Sequence, residues 1–222
     1  MKKNLEIRNI TTEIRSLEED SRKISGLAIP SDSRSELLYR RINGRMLEFY
    51  EIISKDALTE DVIKEHDVKL YLNHDSSQGT FARSKYGSGS LRLFVTERGL
   101  EFETELPNTV FGDALLEGIR RGDFDKISFA FAPEKQEWKD NEDGTYERTI
   151  RSIAVLDEIS ILSCTPAYSE TDVNVRALEE FIEEKEKEQE EQRKAEEEKK
   201  QQILDALDTK LKEIEEIENS FK

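Results

Sequence analysis

Leu91-Arg92-Leu93-Phe94-Val95-Thr96-Glu97-Arg98-Gly99-Leu100-Glu101-Phe102-Glu103-Thr104-Glu105-Leu106 reads as two extended runs joined by a short turn that contains Gly99. The second run puts Leu100, Phe102 and Leu106 on one side and Glu101, Glu103 and Glu105 on the other. That is the two-residue period of a half-buried strand, not the period of a helix. Two such runs around a short glycine-containing turn make a β-hairpin. The same signature repeats along the chain. Leu5-Glu6-Ile7-Arg8-Asn9-Ile10 and Lys23-Ile24-Ser25-Gly26-Leu27-Ala28-Ile29 alternate, the latter stopping at Pro30. Met46–Ile53 is an apolar-rich run, and Lys69-Leu70-Tyr71-Leu72-Asn73-His74 is a short strand of the buried type. Ile127–Phe131, Tyr146–Ile150 and Arg151–Leu162 follow, with the turn Asp140-Asn141-Glu142-Asp143-Gly144 between the first two. Helical patterning is sparse. Over Val110–Arg121, Phe111, Leu115 and Ile119 share a face and Gly122 supplies a stop. Asp56–Glu65 reads as a second helix. The expected fold is α+β: a mostly-β domain that closes as a barrel with a few helices around it.

The chain has 222 residues, 50 acidic and 34 basic, for a formal net charge of −16. Apolar residues make up 35% and the mean hydropathy is −0.75, below the roughly 45–50% apolar content (glycine included) of ordinary globular domains. The composition changes after Val175. Arg176–Lys222 has no Gly or Pro, and Ala195 is the only apolar residue between Glu183 and Gln202. Glu, Lys, Gln and Arg are good helix formers, and opposite charges at helical spacing support one another. Ile203, Leu204, Leu207, Leu211, Ile214, Ile217 and Phe221 then recur at spacings of three and four, one apolar stripe on a helix. Two readings stand: a solvated charged helix ending in amphipathic turns, or a coiled-coil or partner-binding tail. The expected organisation is one domain over residues 1–175 and a charged helical tail over 176–222.

Several function classes drop out. No window approaches the roughly 20 apolar residues of a membrane span, and the N-terminus lacks the apolar stretch of a secretory signal. The single cysteine, Cys164, fits a reducing compartment. A pI near 4.8 argues against nucleic-acid binding by phosphate neutralisation.

The residues able to do chemistry are few. There are two histidines. His74 follows an apolar strand and precedes the polar loop Asp75-Ser76-Ser77-Gln78-Gly79, where an imidazole acts from a rigid scaffold or simply bonds a turn carbonyl. His66 lies among Lys64, Glu65 and Asp67 and reads as a surface residue. Eight residues separate the pair, without HExxH or CxxC, so a metal-dependent hydrolase using His66 and His74 is a weak rival. Tyr86-Gly87-Ser88-Gly89-Ser90 precedes a strand and reads as a loop, not a phosphate cradle. Ser128 punctuates Lys126-Ile127-Ser128-Phe129-Ala130-Phe131, sharing its face with Lys126 and Ala130. It is a nucleophile only beside a base, and otherwise a small hydrogen-bonded strand residue. Glu158 opens Glu158-Ile159-Ser160-Ile161-Leu162, where a carboxylate either orients an imidazole or sits in water or a salt bridge. Cys164, without an activating neighbour, reads as inert.

Taken in order, Ile24-Ser25-Gly26-Leu27-Ala28, Phe49-Tyr50-Glu51-Ile52-Ile53-Ser54-Lys55-Asp56-Ala57-Leu58, Leu72-Asn73-His74-Asp75, Lys126–Phe131 and Leu156–Tyr168 resemble the HK97-type phage prohead (capsid maturation) protease family. The likeness spans about Leu5 to Arg176. It implies a fold related to the herpesvirus assemblin proteases, a β-barrel surrounded by helices. It also implies a serine endopeptidase that works in the host cytoplasm inside the procapsid. There it cleaves scaffold and the scaffold-like segment of the major capsid protein, and it often cuts itself. Carried over, Ser128 is the nucleophile and His74 the general base. Glu158 is the third member, with Asp157 and Asp75 as competing carboxylates. The implied partners are capsid protein and scaffold, with a homodimer as in assemblin, and no cofactor. Phe129-Ala130-Phe131 departs from the family's Ile-Gly-Phe-like pattern, and Cys164–Tyr168 departs from its Thr-Phe-Pro-Ala-Asn-like run. No oxyanion residue is assigned. The runner-up is a non-catalytic scaffold or assembly protein built on the same domain.

Overall fold

The computed structural model describes residues 5–11, 14–16, 21–42, 45–163 and 175–220. They fall into two compact units, Met1–Asn174 and Val175–Lys222. The first holds strands β1 (Glu6–Thr11), β2 (Ile14–Ser16), β3 (Lys23–Pro30), β4 (Leu38–Ile42), β5 (Arg45–Ile53), β6 (Asp67–Leu72), β7 (Ala82–Lys85), β8 (Ser88–Gly89), β9 (Leu91–Thr96), β10 (Gly99–Glu105), β11 (Lys126–Asp140) and β12 (Tyr146–Leu162). It also holds helices α1 (Glu60–Glu65) and α2 (Val110–Arg121). The second unit is a helix, α3 (Val175–Ser220). No helix among the described residues is long and apolar enough to cross a membrane.

The expected closed barrel is corrected to two open sheets. One runs β1-β11-β12-β6-β7-β8 with β5 and β4 branching from it, and the other runs β2-β3-β10-β9. The branch has a cause in the length of β12. Tyr146–Ile150 and Arg151–Leu162 are one 17-residue strand rather than two. Its first part pairs in parallel with β5 (Tyr146 opposite Phe49), and its last part pairs in parallel with β6 (Ile161 opposite Leu72). β11 holds the other edge throughout. The hairpin of β9 and β10 forms as expected. Its turn needs Gly99, which has φ +131° and on which a Cβ would lie 2.0 Å from the Ile29 carbonyl oxygen.

The core lies between the sheets and α2, with Ile24, Ile29, Phe102, Leu115, Ile127, Phe129, Phe131, Ile159 and Ile161 all buried. Helix α2 starts where Thr109 Oγ1 accepts from the Gly112 amide at 3.1 Å, and it stops at the left-handed Gly122. Phe111 does not join the buried face and is exposed. The helix expected over Asp56–Glu65 splits into a 3-10 turn, Lys55–Ala57, and α1, because Thr59 caps a fresh helix. In α3 the residues from Glu186 to Leu204 are solvent-exposed, and Lys194 pairs with Glu190 one turn away at 2.8 Å. The side chains of Leu211, Ile214 and Ile217 on the expected stripe lie outside those described, as does Phe221.

Strand β1 inverts the usual pattern, exposing Leu5 and Ile7 while burying Glu6 and Arg8. The two charges meet Glu51 of β5 and Arg148 of β12. Arg8 bonds Glu51 at 2.6 Å and Glu6 at 2.7 Å, and Arg148 bonds Glu6 at 2.6 Å and Glu51 at 2.7 Å. Two carboxylates against two guanidiniums leave no net charge in the interior, the condition under which such burial is tolerated. Burial pushes the Glu51 carboxyl up, but Arg8 and Arg148 overcome this and hold it below the usual glutamate range. The cluster fastens β1 beside β11, the strand that carries Ser128.

Candidate active site

Ile127, Phe129 and Phe131 of β11 face the core, so strict alternation sends Ser128 and Ala130 to the opposite face. Across the ladder, Ser128 stands opposite Ser160 of β12 and Asn9 of β1. Glu158 reaches that same face by plain alternation, two residues from Ser160 and opposite Ala130. A bulge follows at once. Ala130 pairs with Glu158 but Phe131 pairs with Leu156, leaving Asp157 as an extra residue. Leu156 and Ile159 are both core residues three apart, which alternation alone does not allow. The bulge changes the phase between them, so Leu156 keeps its core position while Glu158 and Ser160 stay on the Ser128 face.

His74 is not the end of a strand. β6 finishes at Leu72, and Asn73 and His74 both adopt left-handed backbone, at φ +54° and +58°. The turn closes with the Asp75 amide donating to the Leu72 carbonyl at 3.0 Å. Left-handed backbone costs L-residues roughly 1–2 kcal/mol each, least for Asn and Asp, so outside bonds must hold it. The turn carries the imidazole back toward β11 and β12. Nε2 lies 2.7 Å from Ser128 Oγ, and Nδ1 bonds the carboxylate of Glu158. A carboxylate only accepts, so the proton of a neutral imidazole belongs on Nδ1, and Nε2 is left to accept from the serine hydroxyl. Ser160 Oγ donates to the same Glu158 oxygen at 3.4 Å. Ser128 is fully buried, while the Glu158 side chain is 12% exposed and that of His74, between them, 23%.

The competing carboxylates are otherwise engaged. Asp75 accepts from the Ser77 amide at 2.8 Å and from Gln78 at 3.0 Å, and its Ser77 and Gln78 bonds hold its carboxyl below the usual range. Asp157 pairs with Lys69 at 2.7 Å. His66 is half-buried rather than on the surface. Its Nδ1 faces the Val62 carbonyl at 2.7 Å and its Nε2 the Ala154 carbonyl at 3.1 Å, joining α1 to β12. Among the described residues no group of three or more His, Cys, Asp or Glu is arranged to hold a metal. Cys164 lies outside the described residues.

A family model described as caudovirus prohead serine protease matches residues 10–188. The chain belongs to this family. Its members are serine peptidases of the phage prohead, as the description states, and in this family member the Ser128–His74–Glu158 row lies within the matched span. Among solved structures, the bacteriophage T4 capsid assembly protease is similar at 11% identity with a TM-score of 0.39, over 74% of this chain and 100% of that one. No curated protein matches significantly.

Sequence reasoning had no view of the bulge at Asp157, though the three-residue step between core residues Leu156 and Ile159 is its signal. It also missed the buried partners of Glu6 and Arg8, which in strand alternation read as a solvent face.

Proposed function

We propose that this chain is the serine endopeptidase of head maturation, with Ser128 as nucleophile, His74 as general base and Glu158 as its orienting carboxylate. The observation that carries the reading is the continuous hydrogen-bonded row from Ser128 Oγ through both ring nitrogens of His74 to Glu158. Ser128 Oγ attacks a peptide carbonyl as Nε2 takes its proton. The tetrahedral intermediate collapses, and the same imidazole gives that proton to the leaving amine. Water then repeats the sequence on the acyl-enzyme. Glu158 keeps the proton of the resting imidazole on Nδ1 and stabilises the imidazolium formed in each half.

The substrates are scaffold and the scaffold-like segment of the major capsid protein inside the procapsid, and the enzyme also cuts itself. The protease domain is residues 1–175. The tail, 176–222, carries the enzyme into the particle by binding scaffold or shell protein, and a homodimer is its active form. Co-expression with the cognate major capsid protein, read by intact mass, tests the reading. The wild type is expected to shorten the capsid protein at defined bonds and to lose part of its own chain. Ser128→Ala is expected to leave both proteins whole. Undiminished cleavage by Ser128→Ala would show that Ser128 is not the nucleophile, and no cleavage by wild type would favour the rival reading of a non-catalytic assembly protein.

A further inference from the structure

The parallel ladder between β6 and β12 ends at Leu72 opposite Ile161. Beyond it the Asn73 amide donates to the Ile161 carbonyl at 2.9 Å, and the backbone then leaves the sheet for the left-handed turn that carries His74. At that point a side chain takes over the pairing. Asn73 Nδ2 donates to Ser163 Oγ at 2.8 Å, and Asn73 Oδ1 accepts from the Ser163 backbone amide at 2.9 Å. The paired bond replaces the rung the backbone no longer makes. Ser163 directly follows the strand that bears Glu158, and Asn73 immediately precedes His74.

We infer that Asn73 is a positioning residue for the general base: its paired hydrogen bond to Ser163 fixes the offset between the His74 turn and the Glu158 strand. The inference rests on the catalytic reading of His74 above. The chemistry fits the residue type. Asparagine tolerates left-handed backbone better than most residues, and its amide offers the donor and acceptor that the serine hydroxyl and amide require. On the other side of His74, Asp75 is held within its own turn by Ser77 and Gln78, so the imidazole is anchored on both flanks. Without the Asn73–Ser163 pair, two successive left-handed residues are free to relax. A shift of about 1 Å in a catalytic group costs on the order of 10²-fold in rate.

The test uses the full chain and a peptide spanning the capsid-protein bond mapped by intact mass. Asn73→Ala is expected to lower kcat on the order of 10²-fold, with KM within about twofold and the thermal midpoint within a few degrees of wild type. Asn73→Asp keeps the acceptor for the Ser163 amide and lets the serine hydroxyl donate instead, so it is expected to restore most of the rate. Ser163→Ala, at an exposed position, is expected to cost less than Asn73→Ala, and the double variant no more than Asn73→Ala alone. An Asn73→Ala kcat within threefold of wild type overturns the inference. So does a loss that tracks lowered stability, or one that Asn73→Asp fails to rescue. His74→Ala, measured alongside, separates the two claims. If it is inactive while Asn73→Ala is not, only the positioning role falls; if it is fully active, the catalytic reading falls and takes the positioning role with it.

Discussion

Replacing Glu158 by Gln keeps the size of the side chain and removes its charge. The imidazolium formed during each half-reaction then loses a carboxylate partner at hydrogen-bonding range. Both side chains are mostly buried, at 12% and 23% exposure, so an effective dielectric near 20 is the fitting choice, and a unit pair at about 4 Å is worth about 4 kcal/mol. At about 1.36 kcal/mol per decade of rate this is about 10³-fold. A glutamine that turns its amide nitrogen toward Nδ1 adds a second loss, because the ring proton then moves to Nε2, which no longer accepts from Ser128. The expected fall in kcat is therefore on the order of 10³–10⁴-fold. Steady-state cleavage of the mapped capsid peptide at saturating substrate reads it. Asp157→Asn, run in parallel, is expected to stay within about threefold, because Asp157 faces Lys69. Glu158→Gln within tenfold of wild type, or an equal loss in Asp157→Asn, would refute the reasoning.

The buried charge cluster makes two further claims. Arg148→Met leaves Glu6 and Glu51 sharing one guanidinium and is expected to cost about 3–5 kcal/mol, or about 6–20 °C in the calorimetric midpoint; a shift below 2 °C contradicts it. Glu51 has a folded-state pKa held below the ordinary value of 4.5. Its carboxylate therefore contributes stability in full above that value and loses it as the pH falls through the lower folded one. Urea denaturation between pH 7 and pH 3 is expected to show a steeper acid loss for wild type than for Glu51→Gln, and equal slopes count against the assignment. Deleting Arg176–Lys222 is expected to spare peptidase activity but to reduce the protease recovered in purified procapsids; equal incorporation rejects the proposed role of the tail.

Local periodicity was enough for most strands and for α2, because alternation along Leu100–Leu106 and the three- and four-residue steps of Val110–Arg121 record burial directly. Closure was not legible, because it depends on which edges of β12 are taken, and parallel pairing with β5 and β6 leaves no mark in either segment. The face presented by β1 was misleading for a related reason. Glu6 and Arg8 look solvated until Glu51 and Arg148, distant in sequence, arrive to neutralise them. The three site residues entered by resemblance, and their isolated contexts left ordinary strand roles open. What sequence lacked was the device that brings them together: the left-handed turn at Asn73 and His74 that carries the imidazole back to Ser128 and Glu158.

Residue-resolved labelling with a serine-directed phosphonate tests the central claim most directly. The label is added to wild type and His74→Ala under conditions in which wild-type chain is cutting capsid protein, and peptide mass analysis locates the adduct. The account expects one adduct, on Ser128, that blocks cleavage and is lost in His74→Ala. Cleavage that persists while Ser128 stays unlabelled, or an inactivating adduct on another residue, would contradict it.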